Sequence, residues 1–409
     1  MFGLKNSRQF GQKVDTDPQK ISALLTRGVE EIFVRESLES KLKSGRRLRV
    51  KLGFDPTGEK IHIGRAITLW KLRAFQELGH QVVFVAGDFT ARIGDPSDKL
   101  EKRPMLTTAE IKKNLATYKE QVGKIVDLGL AEFVFNSSWL SELNFAEVAE
   151  LAESFSVQQM SARRNFKERF ERGEEVSLRE FLYPLMQGYD SVAVKADLEI
   201  GGFDQLFNLK AGRVIQRHFG LPEQDVLTTK MLVGTDGRKM STSWGNVINI
   251  TDAPADMFGK IMSIRDDLIE TYFLLCTGTP EADIARVSAR LKRGENPRNV
   301  KMDLARAVVS LYYGEAAAQK AALNFTSIFS EGKIPEDILE IEATGGVLLV
   351  DVLLSAGVVS SKTEFRRLVL EGAVSNASTG TDITDQFAKI SSDLTLKIGK
   401  RRFIKIKSK

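Results

Sequence analysis

Two stretches of this sequence are suited to holding phosphate: His62-Ile63-Gly64-Arg65 and Lys239-Met240-Ser241-Thr242-Ser243. The first follows an apolar strand pattern and a Pro/Gly turn, and it opens a long amphipathic helix. A helix N-terminus carries unpaired N–H groups and the positive end of the dipole, so an imidazole beside it makes a seat for phosphate. The second lies in a Gly/Asp/Ser-rich loop, from which Lys239 could approach a polyphosphate from the other side. Either stretch alone carries little information. The ordered pair in one chain points to a triphosphate held between two hands.

Tyr183, Gln187 and Asp190 recur at i, i+4 and i+7, one face of a helix. Leu182, Leu185, Met186, Val192, Ala193 and Val194 make that helix apolar almost all round. A polar stripe in such surroundings faces a pocket in which each group must find a partner, and a ligand bearing a phenol or an amine would supply them. Asp95, with Lys99 and Arg103 soon after it, fits equally well a charged surface loop or an acid for a ligand ammonium with two cations for phosphates. Asp204 and Gln205 follow the apolar run Leu198 to Gly202, at the strand end where open α/β sheets hold ligands. There is no P-loop signature, no zinc-spaced Cys/His set and no Ser/His/Asp arrangement. Nothing indicates covalent catalysis through a side chain.

The elements that must position these residues are legible in part. Leu48 to Phe54 reads as a strand, with a turn at Asp55-Pro56-Thr57-Gly58. The helix after it carries Ile67, Trp70, Ala74, Phe75 and Leu78 on one face and stops at Gly79. Gln81 to Ala86 is a second strand, apolar throughout as a buried parallel sheet requires. From Thr107 to Phe170 the periodicity is helical, broken by a short strand at Glu132 to Phe135. Beyond Thr251 it is helical through about Phe329, and a linker at about 332–342 follows. The last segment begins at Val347 to Leu354, continues with a helix from Lys362 to Leu370 ended by Gly372, and closes with a strand over Lys400 to Lys407.

The chain has 409 residues, 42% apolar and 28% charged, with a net charge of +5. Residues 345–409 hold 11 basic and 6 acidic side chains, so the positive excess lies there and the rest is balanced. A basic tail on a neutral body points to a local polyanion contact. Lys362 and Arg366 stand at i, i+4 on the tail helix, next to Arg367, and Lys400, Arg401 and Arg402 begin the last strand. Together they favour RNA backbone contact. Cys276 is the only cysteine, and the N-terminus lacks the apolar core of a signal peptide. A reducing, cytoplasmic setting is expected, with no membrane span and no tightly bound metal.

Several motifs together resemble the class I aminoacyl-tRNA synthetases, in particular the bacterial tyrosyl group. They are Gly53-Phe54-Asp55-Pro56-Thr57, His62-Ile63-Gly64, Gly94-Asp95-Pro96-Ser97, Tyr183-x-x-x-Gln187-x-x-Asp190, Gly201-Gly202-x-Asp204-Gln205 and Lys239-Met240-Ser241. The resemblance implies a Rossmann-type α/β catalytic domain over 1–250, with a helical insertion at about 105–190 that forms a homodimer interface. An α-helical anticodon-binding domain (251–331) and a small α+β S4-like RNA-binding domain (345–409) would follow. It implies activation of tyrosine by ATP with Mg2+ and transfer to tRNA(Tyr). Asp95, Tyr183 and Gln187 would hold the amino acid's ammonium, Asp190 its phenol hydroxyl and Gln205 its polar backbone end. ATP would meet Gly53, Asp55, Thr57, His62, Gly64, Arg65, Asp204, Leu232, Val233, Lys239, Met240 and Thr242. Thr57, His62, Lys99, Arg103 and Lys239 would be catalytic, the last three stabilising departing pyrophosphate. The chain departs from the family pattern at Arg65, Thr242, Phe203, Lys51 and Asp98; a Tyr that binds the substrate hydroxyl often stands where Lys51 is. Two alternatives fit the same residues: a catalytically weakened relative that binds RNA, and activation of another aromatic amino acid.

Overall fold

The computed structural model describes residues 13–97, 105–330, 338–399 and 402–408. Its centre is a six-stranded sheet in the order β1-β6-β5-β2-β3-β4. The strands are β1 (Val29–Phe33), β2 (Arg49–Phe54), β3 (Gln81–Ala86), β4 (Glu132–Phe135), β5 (Leu198–Gly202) and β6 (Asp225–Thr229). All neighbours are parallel except β1, which runs antiparallel along β6. From β2 the chain moves outward to β3 and β4, then returns past β2 to β5 and β6. The strand order therefore reverses between β2 and β5, and the loops leaving these two strands diverge around a crevice.

Both faces of the sheet are covered. Val50, Leu52, Val82, Phe84, Leu198, Ile200 and Leu227 point into one core, shared with helix α1 (Ile63–Glu77) and its Ile67, Leu69, Trp70, Leu72 and Phe75. On the other face Val83 and Val85 meet Val194 and Ala196, behind helix α2 (Leu178–Ala193). Helix α3 (Leu206–His218) packs beside α2, with Leu185 and Ile215 in one apolar cluster. The two backbones approach closely at Gly188, where a Cβ would lie 2.8 Å from Ile215 Cγ1 and 3.3 Å from the Ala211 backbone.

The helices from Pro254 to Ser330 contribute Phe258, Leu304 and Val308 to the same core as α1. A second core, separate from the first, belongs to β7 (Leu339–Ala343), β8 (Val374–Asn376), β9 (Leu394–Ile398) and β10 (Arg402–Ser408), with helices Leu349–Ser355 and Lys362–Leu370. Its sheet has the order β7-β10-β9-β8. Strand β7 begins inside the segment expected to be a linker, because its pattern is half exposed and its pairing partner, β10, lies far along the chain. No helix among the described residues is long and apolar enough to cross a membrane.

The Gly188 contact yields a prediction. Gly188→Val forces a branched side chain between α2 and α3 and should cost about 1–3 kcal/mol of stability. Urea unfolding followed by circular dichroism measures it, and an unchanged midpoint would show that the two helices can part freely.

Candidate active site

The loops leaving β2, β3, β4, β5 and β6 surround one cavity of about 310 Å³ at the crevice. His62 is the N-cap of α1, and its Nδ1 accepts the Arg65 backbone N–H at 3.3 Å. That bond leaves the ring proton on Nε2. Burial, then the charges of Arg65 and Lys239, lower the His62 pKa to about 3. The imidazole is therefore neutral at physiological pH and acts as a hydrogen-bond donor rather than as a cation. Gly64 is needed beside it: a Cβ there would lie 3.0 Å from His62 Nδ1 and 3.4 Å from Met240 Sδ.

That contact also shows the two motifs meeting. Ile63 N donates to Ile248 O at 2.8 Å and Ile250 N to Ile61 O at 3.0 Å, which fastens the end of the Lys239 loop to the start of α1. Asn246 braces the loop, donating to Asp236 at 2.7 Å and to Lys239 O at 3.1 Å. Lys239 Nζ donates to Asp204 Oδ2 at 2.9 Å, and both residues line the cavity. Arg65, one of the departures from the family pattern, donates to Thr57 Oγ1 at 2.9 Å, Tyr118 OH at 3.1 Å and Asp55 O at 3.2 Å. The Thr57 hydroxyl accepts this bond and keeps its own proton for a ligand.

Deeper in, the α2 stripe lines the cavity with Asp95, Asp55 and Gln205. Tyr183 donates to Asp55 Oδ2 at 2.9 Å, and burial followed by the charges of Asp55 and Asp95 raises its pKa. The phenol stays protonated and presents its oxygen lone pairs as acceptors. Asp95 Oδ2 accepts from Gln205 Nε2 at 2.7 Å, and its Oδ1 from Ser97 Oγ at 2.6 Å and Asn208 at 3.3 Å. Asp190 accepts from Trp139 Nε1 at 2.8 Å and Asn136 Nδ2 at 3.3 Å. Its carboxyl is pushed up to about 7, chiefly by burial and against the opposing charge of Lys51 and the Trp139 and Asn136 bonds.

Of the residues expected to form the site, Gly53, Asp55, Thr57, His62, Gly64, Arg65, Asp95, Tyr183, Gln187, Asp190, Asp204, Gln205, Leu232, Lys239, Met240 and Thr242 all line this one cavity. Val233 is not among the lining residues; its carbonyl accepts the Tyr272 hydroxyl at 2.7 Å, so it braces the loop. Lys99 and Arg103 lie outside the described residues, as do Lys400, Arg401 and Asp98. In the tail, Lys362 pairs with Asp351 at 2.7 Å, Arg367 with Glu371 at 3.0 Å and Arg402 with Glu364 at 3.4 Å. Arg366 lies over the exposed Phe387 ring, 5.9 Å from its centroid. Among the described residues no group of three or more His, Cys, Asp or Glu side chains is placed to hold a metal ion.

The sequence reading passed over Thr90, Asn136, Glu199, Lys230 and Trp244, which also line the cavity. Thr90, Asn136 and Lys230 follow β3, β4 and β6, so the rule applied to the end of β5 would have found them on the other parallel strands.

A sequence profile of the tRNA synthetases class I (W and Y) matches residues 43–330. The chain belongs to this family and is an aminoacyl-tRNA synthetase. A tyrosine–tRNA ligase of Carboxydothermus hydrogenoformans is 46% identical over 396 residues, covering 94% of this chain and 96% of that protein. The tyrosine–tRNA ligase of Thermotoga maritima is 44% identical, covering 95% and 98%. The tyrosyl-tRNA synthetase of Archaeoglobus fulgidus, solved with L-tyrosine, superposes with a TM-score of 0.60 at 25% identity, covering 74% of this chain and 99% of that one.

The Asp190 shift has a stability consequence. A carboxyl whose folded pKa of about 7 exceeds its ordinary 3.8 favours folding while protonated, and that contribution is lost as pH rises through this window. Asp190→Asn should therefore stabilise the ligand-free protein more at pH 8 than at pH 4.5, read by thermal melts of both proteins at each pH. An equal gain at both values would contradict the shift.

Proposed function

We propose that the chain is a tyrosine–tRNA ligase, which activates tyrosine with ATP and then transfers it to the terminal ribose hydroxyl of tRNA(Tyr). The observation that carries this reading is the single cavity lined both by Thr57, His62 and Lys239 and by Tyr183, Gln187 and Asp190. The full-length likeness to tyrosine–tRNA ligases supports it.

The amino acid's carboxylate attacks the α-phosphorus and pyrophosphate leaves. The attacking group is already an anion, so this step needs no protein base. Catalysis then rests on positioning and on donors aimed at charge developing on the leaving phosphates. His62 Nε2–H, the Thr57 hydroxyl and the Lys239 ammonium supply those donors, and Lys99 and Arg103 add positive charge. Mg2+ enters with ATP as the substrate's counter-ion. Asp204 is assigned to the ribose hydroxyls, so nucleotide entry exchanges its bond to Lys239 for one to sugar and frees the ammonium for phosphate. Leu232 flanks the adenine. The substrate ammonium meets the Tyr183 oxygen, the Gln187 carbonyl oxygen and Asp95, while Gln205 binds near its carboxyl end. Asp190 takes the phenol hydroxyl; the cost of leaving such a buried acceptor unpaired rejects phenylalanine, an effect for which tyrosine activation is a standard example.

The same reading extends to the rest of the chain. We assign catalysis to 1–250, anticodon contact to 251–331 and RNA binding to 345–409, in the cytoplasm. The insertion at about 105–190 forms a homodimer interface; Phe145 at 90%, Leu178 at 79% and Val157 at 68% exposure support it. Arg366 over Phe387 supports RNA contact, because the pair offers a cation and an aromatic face together.

Two outcomes test this. His62→Ala and Lys239→Ala should each slow tyrosine-dependent ATP–pyrophosphate exchange by about 10²-fold or more, with tyrosine binding within about threefold by equilibrium titration; undiminished exchange in both would remove them from catalysis. Asp190→Ala should erode the preference for tyrosine over phenylalanine in the same assay, and a preserved preference would place the phenol pocket elsewhere.

A further inference from the structure

Beneath the α2 stripe, Lys51 of β2 and Glu199 of β5 stand at the same register position. Their side chains are 0% and 1% exposed, with Nζ 3.0 Å from Glu199 Oε1. Lys51 Nζ also donates to Gln187 O at 2.9 Å and to Ser191 Oγ at 2.8 Å. Glu199 accepts from Gln224 Nε2 at 2.6 Å, Ser191 Oγ at 3.1 Å and Gln187 Nε2 at 3.1 Å. Burying such a pair costs desolvation of both ions, and apolar residues of similar volume often serve stability as well or better. Stability is thus a poor reason for its presence.

The Gln187 contact supplies a better one. A side-chain amide has an oxygen end and an NH2 end of nearly equal shape, and only its partners decide which way it points. Glu199, paired with Lys51, accepts hydrogen bonds and so takes the NH2 end. The Gln187 oxygen is then the end left for the cavity, which Gln187 lines with Tyr183 and Asp95. An ammonium needs an acceptor there, and a flipped amide would present a donor. Lys51 itself is not among the lining residues.

We infer that Lys51 is a positioning residue for amino-acid binding: through its pair with Glu199 it fixes the Gln187 amide with the carbonyl oxygen toward the ligand's ammonium. The inference rests on the reading of this cavity as an amino-acid slot.

Lys51→Met and the charge-free pair Lys51→Met/Glu199→Leu are compared by exchange kinetics, alone and in a Gln187→Ala background. The charge-free pair keeps the test open should the single variant fail to fold. Each should raise the KM for tyrosine about tenfold or more, with kcat and the KM for ATP within about twofold. In the Gln187→Ala background the same changes should add less than about twofold, because the group they act through is gone. An unmoved KM for tyrosine, or the same fold-increase in both backgrounds, would overturn the role of Lys51. The unaltered chain is the control: failure to exchange with tyrosine would overturn the substrate assignment instead.

Discussion

The site depends on a short backbone clasp. Ile63 and Ile250 exchange main-chain hydrogen bonds with Ile248 and Ile61, which holds the start of α1 against the segment leaving the Lys239 loop. Without that pairing His62 and Lys239 would belong to elements far apart in the chain. With it, a Cβ added at Gly64 would touch both the His62 ring and Met240 Sδ, and the Lys239 loop has one fixed end from which to reach the cavity. The clasp uses backbone groups, so it places few demands on side chains, but Ile61, Ile63, Ile248 and Ile250 are all buried and keep water from competing for the bonds.

Electrostatics then divide the cavity. Among the residues proposed for phosphate, the donors are a neutral imidazole and two cations, Arg65 and Lys239, each cation bonded to an oxygen of the site itself. Among the residues proposed for the amino acid, the acceptors have their own protons or charges committed to other groups of the cavity wall: Tyr183 to Asp55, Gln187 to Glu199, Asp95 to Gln205. Such an arrangement holds its polarity before any ligand arrives, which is the condition for donors and acceptors to act without reorganising. The raised carboxyl of Asp190 is the cost of keeping a buried acceptor in the cavity wall.

Much of this was legible in the residues. Strands β3 and β5 and the tail helix fall at the expected boundaries, because their apolar runs end at turns or glycines. The stripe on α2 was recognisable as a pocket wall because its flanks were too apolar for solvent. Strand β6 escaped notice: Asp-Val-Leu-Thr-Thr looks half polar, yet all five residues are buried, with Lys41 bound to Asp225 at 2.8 Å and Thr228 Oγ1 donating to Glu31 O at 3.2 Å. Strand β1 is an edge strand with two glutamates, and its antiparallel seat on β6 is a tertiary fact. The partners of Arg65 and Lys51 were equally out of reach, since both departures from the family pattern are explained by side chains more than 50 positions away.

The most direct measurement of the central claim is a crystal structure with tyrosine and a non-hydrolysable ATP analogue. The account predicts the γ-phosphate between His62 Nε2 and Lys239 Nζ, Lys239 released from Asp204, and Asp204 on the ribose. A triphosphate bound away from His62, with the Lys239–Asp204 bond intact, would contradict it.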